Sequence, residues 1–310
     1  MRHTVAPLVS LVMAEYNSIN YLAGAIDSAL TQTYINIELI VIDDHSTDGS
    51  LEYARSIAAQ DGRVSVHLNQ SKGAGAGRNM GLSLAKGEYV MFLDGDDVFS
   101  PNMVSSLVAA AMKNNSDLAV CNYMIMGPEE GARSLGLKRL KLISVLYNHG
   151  WQSNFMRRVN YSAWNKLYRR EFIEKHGLQF QNCRHANDVY FVASAFLKAK
   201  RLGAVSQPLL DYYLRHSGTQ GKKSVNPLSI MTPVSALWQD SFEYGQAWQR
   251  EEAARLALSI FEFDYESYDS DDIRLLLKEQ MGALLNRLPA TEAVKTSDEY
   301  TKLMSYLLLI

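Results

Sequence analysis

Short runs of apolar and β-branched residues recur through the first third of the chain, and each ends in polar residues. These runs cover residues 7–14, 37–42, 63–68 and 87–93. Segments with the apolar spacing of amphipathic helices separate them. Continuous apolar strands that alternate with helices are typical of a parallel sheet covered by helices on both faces. The sequence therefore predicts an α/β fold with a mostly parallel sheet.

Three of the predicted strands end in polar clusters that point to a binding site. The clusters are Glu15-Tyr16-Asn17, Asp43-Asp44-His45-Ser46 and Asp94-Gly95-Asp96-Asp97. Ligands of open parallel sheets bind beyond the carboxyl ends of the strands, so we expect the clusters to converge on one crevice. The third cluster holds three carboxylates in four positions, which repel one another. A hard cation such as Mg²⁺ or Mn²⁺, carrying a substrate phosphate, relieves this repulsion; an acidic turn that caps the next helix is the alternative.

Composition excludes several classes of partner and compartment. The 310 residues carry a net charge of −2, from 31 basic and 33 acidic residues, so nucleic acid is not an expected partner. Two cysteines, Cys121 and Cys183, give no disulfide framework and fit a reduced, cytoplasmic setting. No segment has the 18 apolar residues that a membrane span needs. Peripheral contact with the inner face of a membrane, or with a synthase complex, remains compatible with this composition.

The order of motifs across residues 7–101 resembles the family 2 glycosyltransferases. The motifs are Val-Ser-Leu-Val-Met-Ala-Glu-Tyr-Asn at 9–17, Ile-Val-Ile-Asp-Asp-His-Ser-Thr-Asp-Gly-Ser at 40–50, Ala-Gly-Arg-Asn-Met-Gly at 76–81 and Tyr-Val-Met-Phe-Leu-Asp-Gly-Asp-Asp at 89–97. The segment 162–173 is similar to the subset that builds bacterial surface polysaccharides. The resemblance implies a GT-A fold, which is Rossmann-like, and inverting transfer from a nucleotide-sugar donor.

The resemblance also implies roles for residues at the strand ends. Tyr16 stacks on the nucleotide base, Asp44 accepts from the imide N–H of uracil, and Asp96 ligates Mn²⁺ or Mg²⁺. The remaining donor-binding residues implied are Ala14, Asn69, Arg78, Asp94 and Gly95. Two ordinary alternatives stay open, because Tyr16 can be a packing residue and Asp44 can cap the helix that follows it.

Further implied roles fall in the second half of the chain. Asp188 is the catalytic base, because inversion needs a carboxylate that removes the acceptor hydroxyl proton, and an ordinary aspartate with a pKa of about 4 is ionised at neutral pH. A helix N-terminal residue is the alternative reading of Asp188. Relatives carry Glu where Asn187 stands, which bears on how Asp188 is oriented. The other implied residues are Trp164 and Asn187 for the acceptor, Arg215 and Ser217 in a flap over the diphosphate, and His216 as a second metal ligand or a free surface histidine.

The predicted organisation is a GT-A domain over 1–225 and a helical region over 226–310. The first domain divides into a nucleotide-binding half, about 1–125, and an acceptor half, about 126–225. Within it we expect a glycine-rich loop over 69–77, a helix over 80–85 and a short strand over 208–214. Apolar periodicity from residue 253 to 285 predicts the helical region, whose helices also offer a surface for self-association.

The predicted function is metal-dependent, inverting transfer of a hexosyl or N-acetylhexosaminyl group. The donor is a nucleotide-diphosphate sugar, with UDP preferred, and the acceptor is a hydroxyl of a glycan or polyol phosphate in bacterial cell-surface polysaccharide synthesis. Two rivals remain. A sugar-phosphate nucleotidyltransferase needs a glycine- and lysine-rich loop after the first strand, where this chain has Glu15-Tyr16-Asn17. A non-catalytic carbohydrate-binding module is the other.

Overall fold

A computed structural model describes residues 6–127, 133–135, 160–184, 186–213, 226–244 and 246–307. The chain divides into two compact units. The first holds the described residues within 1–152, 162–182 and 198–216, and the second those within 153–161, 183–197 and 217–310. The predicted flap and metal residues Arg215, His216 and Ser217 lie outside the described residues. The predicted domain boundary after residue 225 stays a prediction.

One sheet of nine strands forms the centre of the first unit within the described residues. The strands are β1 (Val9–Glu15), β2 (Ile37–Asp43), β3 (Val64–Leu68), β4 (Tyr89–Asp94), β5 (Val98–Phe99), β6 (Leu118–Met126), β7 (Arg133–Leu135), β8 (Lys166–Arg169) and β9 (Leu202–Tyr213). Their order is β3-β2-β1-β4-β8-β6-β9-β5, and β7 pairs with β6. Strands β3, β2, β1 and β4 run parallel, whereas β8 is antiparallel to its neighbours β4 and β6. The predicted α/β class is confirmed.

Helices cover this sheet because their apolar stripes match its apolar faces. The helices of the first unit are α1 (Ile19–Leu30), α2 (Ser50–Ala58), α3 (Ala74–Leu84), α4 (Met103–Asn114) and α5 (Arg170–Lys175). In α1 the buried positions include Leu22, Ala25, Ile26 and Ala29, which share one helix face. Strand β1 is buried along nearly its whole length, as expected for a strand covered on both faces.

The last four residues of the predicted glycine-rich loop over 69–77 are helical, so that prediction is wrong in its second half. Helix α3 begins at Ala74 and includes Gly75, Gly77 and Gly81. A Cβ atom on Gly81 would lie 2.3 Å from Val12 Cγ1, and one on Gly77 would lie 3.3 Å from the Ala14 Cβ. These glycines let the helix lie close against β1, so close packing outweighs their low helix propensity.

Strand β9 is longer than the predicted strand over 208–214, because it starts at Leu202. Its parallel register with β6 shifts around Asn122, which aligns with Pro208. Such irregular positions accept proline, which has no N–H for the ladder. The sequence prediction took Pro208 as a strand boundary, whereas the strand continues through it.

The described part of the second unit is helical, which confirms the predicted helical region. It contains α6 (Val189–Lys198), a 3₁₀ helix (Pro227–Ile230), α7 (Met231–Glu243), α8 (Ala247–Glu266), α9 (Asp271–Arg287), α10 (Glu292–Lys295) and α11 (Asp298–Leu307). Trp238, Phe261, Leu277 and Met281 are fully buried and belong to its core. No helix among the described residues combines the length and apolarity that crossing a bilayer requires.

Candidate active site

The carboxyl ends of β1, β2 and β4 lie side by side, which brings the three polar clusters to one edge of the sheet. Glu15 at the end of β1 aligns with Asp43 at the end of β2. On the other side of β1, Ala14 aligns with Asp94 at the end of β4. The residues predicted to bind the donor therefore surround the end of the central strand β1.

Hydrogen bonds join the loop after β1 to the loop after β2. The Asn17 N–H donates to Ser46 Oγ over 2.9 Å, and the Thr47 N–H donates to Asn17 Oδ1 over 2.8 Å. Asn17 and His45 adopt left-handed backbone conformations, with φ of 49° and 65°. Tyr16 directly precedes Asn17 and is 61% exposed. Its ring is therefore held on a braced loop and is open for stacking, as its predicted role requires.

Two carboxyl groups are buried together beneath these loops. Glu15 Oε2 accepts from Ser18 Oγ over 2.6 Å, and Glu15 Oε1 accepts from Ser46 Oγ over 3.0 Å. Burial and the adjacent Asp43 raise the pKa of Glu15 to about 8. Burial alone would raise the pKa of Asp43, but hydrogen bonds from Glu15 and Ser46 hold it below its ordinary value. At neutral pH the pair thus shares one proton, carried by Glu15.

The Asp44 carboxylate is oriented by neutral donors. Its Oδ1 accepts from Asn69 Nδ2 over 2.7 Å, and its Oδ2 accepts from the Gly73 N–H over 2.9 Å. Gly73 has a φ of +105°, a conformation that favours glycine. Asn69 is 3% exposed, and its amide also donates to the Gly73 carbonyl over 3.2 Å. The amide predicted to reach the nucleotide is thus engaged by Asp44 and its loop, and direct contact with nucleotide stays a prediction.

Asp94, in contrast, forms an ion pair with an arginine. Arg78 Nη2 lies 2.7 Å from Asp94 Oδ1, and the Arg78 guanidinium lies 5.5 Å from the centre of the Phe180 ring. Arg78 is 7% exposed. Phe180 is fixed in turn by two 2.8 Å hydrogen bonds between its backbone and the Asn79 side chain. Sequence reasoning missed Phe180 and Asn79, since a lone aromatic outside any motif carries no signal of this contact.

A small residue is required between Asp94 and Asp96. A Cβ atom on Gly95 would lie 3.2 Å from both Glu15 Cβ and Ser18 Oγ. Asp97 is buried, whereas Asp96 is partly exposed. Burial, and then the negative charges of Asp97 and Asp94, raise the pKa of Tyr212. The carboxylates of this turn thus create a negative potential at the Tyr212 hydroxyl. Asp96 is partly exposed and stands between Asp94, which is paired with Arg78, and the buried Asp97.

The donor set at this turn suits a cation that also binds phosphate. Within the residues that the structure describes, no three His, Cys, Asp or Glu side chains form a metal-binding group. Mg²⁺ is commonly bound through one or two carboxylates, with substrate phosphates and water completing its shell. A single ligand, Asp96, therefore fits a metal that arrives with a diphosphate, and its metal role stays a prediction.

Asp188, the predicted base, belongs to the second unit and directly precedes α6. Its carbonyl accepts from the Val192 N–H over 2.9 Å, so Asp188 begins the first turn of that helix. Ala186 before it has a φ of 58°, a left-handed conformation. Burial, and then the charge of Asp188, raise the pKa of Cys183 to about 11. The thiol beside the predicted base is therefore protonated at neutral pH.

The two residues predicted to contact the acceptor are both buried. In the first unit, Trp164 stacks on Tyr212 with ring centres 5.3 Å apart and meets the edge of Tyr123 at 4.6 Å. In the second unit, Asn187 is 7% exposed. Their acceptor roles stay predictions.

The chain matches a family model and several named relatives. The model for glycosyl transferase family 2 matches residues 10–177. EpsH of Bacillus subtilis is 33% identical over 214 residues, which are 68% of this chain and 62% of EpsH. The uncharacterized glycosyltransferase YibD of Escherichia coli is 31% identical over 227 residues, 70% of this chain and 66% of YibD. The matches thus span less than two thirds of the length of either relative.

Solved structures share the fold at low sequence identity. S. aureus TarS 1-349 in complex with UDP-GlcNAc gives a TM-score of 0.74 at 19% identity, covering 91% of this chain and 81% of that one. The mannosyltransferase PcManGT from Pyrobaculum calidifontis, in complex with GDP-Man and Mn²⁺, gives a TM-score of 0.57 at 16% identity, covering 98% and 86%. The fold agrees with the GT-A expectation, and the family model covers more than half of the sequence. The chain belongs to glycosyl transferase family 2.

Proposed function

We propose that this chain is an inverting, metal-dependent glycosyltransferase of bacterial surface-polysaccharide synthesis. It transfers a sugar from a UDP-linked donor to a hydroxyl of a glycan or polyol phosphate. The observation that carries the proposal is the register of three strand ends, which gathers Tyr16, Asp44 and Asp94 around the end of β1. The exposed Tyr16 ring suits a nucleotide base, and the oriented Asp44 carboxylate suits an imide N–H. The acidic turn at 94–97 suits a diphosphate bound to a cation.

The nucleotide assignment rests on Asp44 and on the structural neighbours. A carboxylate acceptor suits the imide N–H of uracil, and neutral donors fix the Asp44 carboxylate before any ligand arrives. TarS, which shares this fold, was crystallised with UDP-GlcNAc. The structure of PcManGT is of a complex with GDP-Man and Mn²⁺, which supports a divalent cation at the diphosphate here. Asp96 would hold that cation, which when bound supplies charge neutralisation at the leaving diphosphate.

The chemical step assigns one proton transfer to Asp188. The acceptor oxygen forms a bond to the anomeric carbon while the bond from that carbon to the diphosphate oxygen breaks. The acceptor hydroxyl proton moves to the Asp188 carboxylate, and UDP leaves with the bonding electron pair. Attack from the face opposite the leaving group inverts the anomeric configuration.

A single substitution tests the base. We expect Asp188→Asn to lower the rate of UDP release from the active UDP-sugar by about 10²–10⁴-fold, which is the usual contribution of a general base. UDP affinity, measured by calorimetry with Mn²⁺, should stay within about twofold, since Asp188 acts on the acceptor. Asp298→Asn, at the exposed start of α11, is the matched control and should keep normal turnover.

A screen of UDP-sugar donors tests whether the protein is a glycosyltransferase that uses a UDP-linked sugar. UDP release from UDP-glucose, UDP-galactose and UDP-N-acetylglucosamine is measured with Mn²⁺ and with glycerol or water as acceptor. Near-normal turnover of Asp188→Asn would show that another group is the base. Release of UDP from none of the donors, or pyrophosphate release from UTP and a sugar phosphate, would overturn the proposed function itself.

A further inference from the structure

Helix α6, which carries Asp188 at its start, is a core element of the second unit. Seven consecutive residues, 191–197, are buried, so every face of this helix is covered. Apolar burial is non-directional, so hydrogen bonds add a constraint on the rotation and axial position of such a helix. Directional hydrogen bonds at its two ends supply that constraint.

The first of these bonds lies one residue beyond the start of α6. Tyr190 Oη donates to Asp240 Oδ2 of α7 over 3.0 Å. Burial and the Asp240 charge raise the pKa of Tyr190 to about 12, so the hydroxyl keeps the proton that it donates. A hydrogen bond to an ionised acceptor is about twice as strong as one between neutral groups. The turn that contains Asp188 is thus tied to α7 by a charge-assisted bond.

The second bond lies at the other end of α6. Gln249, in the first turn of α8, donates its side-chain amide to the Leu197 carbonyl over 2.7 Å. The carbonyls of the last helical turn have no partner within their own helix, so this bond satisfies one of them. The next residue, Arg250, donates to the Tyr244 carbonyl at the end of α7 over 2.6 Å. The start of α8 therefore joins the ends of α6 and α7.

We infer that Tyr190, Asp240 and Gln249 are positioning residues for Asp188, through which the C-terminal helices hold the base-bearing turn in place. This inference rests on the proposed function, in which Asp188 is the base. All three lie beyond residue 177, where the match to the family model ends. A displacement of about 1 Å at a reacting group costs on the order of 10²-fold in rate, so small shifts of this turn are consequential.

Tyr190→Phe tests the inference, and Tyr244→Phe is its matched control. Tyr244 Oη donates to the same Asp240 Oδ2 over 3.1 Å, but the two residues lie four apart at the end of α7, so their bond is local to that helix. We expect Tyr190→Phe to lower kcat for UDP release about tenfold. The donor KM and the UDP affinity should stay within about twofold, and Tyr244→Phe should retain kcat within about twofold.

A conservative rescue separates positioning from folding. Asp240→Asn keeps an oxygen that can accept from Tyr190, so its kcat should lie closer to wild type than that of Asp240→Ala. Gln249→Ala should lower kcat in the same direction as Tyr190→Phe. A purely structural role would lower the unfolding temperature of Tyr190→Phe and leave kcat per folded molecule unchanged. Unfolding temperatures are therefore recorded for every variant.

Two results distinguish failure of this inference from failure of the proposed function. If Asp188→Asn is inactive and Tyr190→Phe matches Tyr244→Phe in kcat, the positioning role is wrong and the base assignment stands. If Asp188→Asn turns over normally, the base assignment is wrong and the positioning role is overturned with it. A Tyr190→Phe variant that loses UDP affinity along with kcat would also contradict positioning of the base alone.

Discussion

The ends of β2 and β4 hold aspartates of the same predicted ligand site in different ways. At the end of β2, Asp44 is bound by an amide and a backbone N–H, and Asp43 shares a proton with Glu15. At the end of β4, Asp94 is bound by the guanidinium of Arg78. The carboxylates at the β2 end are thus stabilised by neutral hydrogen-bond donors and a shared proton, and the carboxylate at the β4 end by the positive charge of Arg78.

This difference separates orientation from charge balance. Neutral donors fix the direction of the Asp44 lone pairs but leave its charge in place, which suits an acceptor that must recognise an imide N–H. The guanidinium offsets the negative charge of Asp94, which reduces its repulsion of a diphosphate at the same turn. At the β2 end, stability should therefore depend on pH, and UDP affinity should depend on the Asn69 amide. At the β4 end, stability should depend on the Arg78 guanidinium.

The largest effect is expected at the β4 end. Arg78→Ala should lower the free energy of unfolding by about 2–3 kcal/mol, because it leaves the Asp94 charge unpaired in a partly buried place. The Arg78 and Asp94 side chains are 9% and 27% exposed. Urea denaturation measures the change. Arg63→Ala is the matched control, because Arg63 also forms a 2.7 Å ion pair, with Asp61. The Arg63 and Asp61 side chains are 37% and 26% exposed, so Arg63→Ala should lower the free energy of unfolding by under about 1 kcal/mol.

The double variant tells unpaired charge from lost packing. Arg78→Ala combined with Asp94→Ala should recover about 1 kcal/mol or more of the loss, because no charge is left without a partner. If the double variant is no more stable than Arg78→Ala, the cost arises from the Arg78 contact with Phe180 instead.

The framework of this edge could be predicted from sequence, whereas its contacts could not. Continuous apolar runs identify β1, β2 and β4, and the carboxyl-end rule then brings Tyr16, Asp44 and Asp94 together. The partners of these residues are set by how helices pack on the sheet. Arg78 reaches Asp94 because α3 lies close against β1, and that closeness depends on glycines which, by propensity, indicate a loop.

The second unit shows the same limit more strongly. Helical periodicity predicts its helices, since Ala253, Leu256, Ala257 and Phe261 repeat at the right spacing and are buried. Nothing in the sequence singles out Asp240, which is one acidic residue in a helix with many polar neighbours. Its significance appears only where the fold places Tyr190 and Tyr244 against one carboxylate oxygen.

The β2 end, where Asp43 is paired with Glu15 of β1, should make stability sensitive to pH. The raised pKa of Glu15 means that the folded protein keeps a proton that the unfolded chain releases, so stability falls as pH rises from about 4.5 to about 8. The lowered pKa of Asp43 acts in the opposite direction, but only below its ordinary value of 3.8. Glu15→Gln stays neutral, so above pH 7 it should be more stable than wild type by on the order of 1–2 kcal/mol.

Thermal unfolding between pH 5 and pH 9 measures this effect. The wild type should lose stability across the range more steeply than Glu15→Gln. Glu52→Gln, at an exposed position in the first turn of α2, is the control and should follow the wild-type slope. Parallel curves for Glu15→Gln and wild type would show that the buried pair does not hold an extra proton.

The smallest effect concerns orientation at Asp44. Asn69→Ala removes the shorter of the two hydrogen bonds to Asp44 Oδ1, so the carboxylate is less tightly oriented, while the Gly73 N–H still bonds both of its oxygens. We expect UDP to bind about tenfold more weakly, a loss of about 1.4 kcal/mol in binding free energy. Calorimetry with UDP and Mn²⁺ measures it, and Asn36→Ala, whose exposed amide bonds the Ala6 carbonyl, is the control. Equal UDP affinity in both variants would mean that the Gly73 N–H alone orients Asp44. The two strand ends would then differ in that a backbone group, not the Asn69 side chain, orients Asp44, whereas the Arg78 side chain binds Asp94.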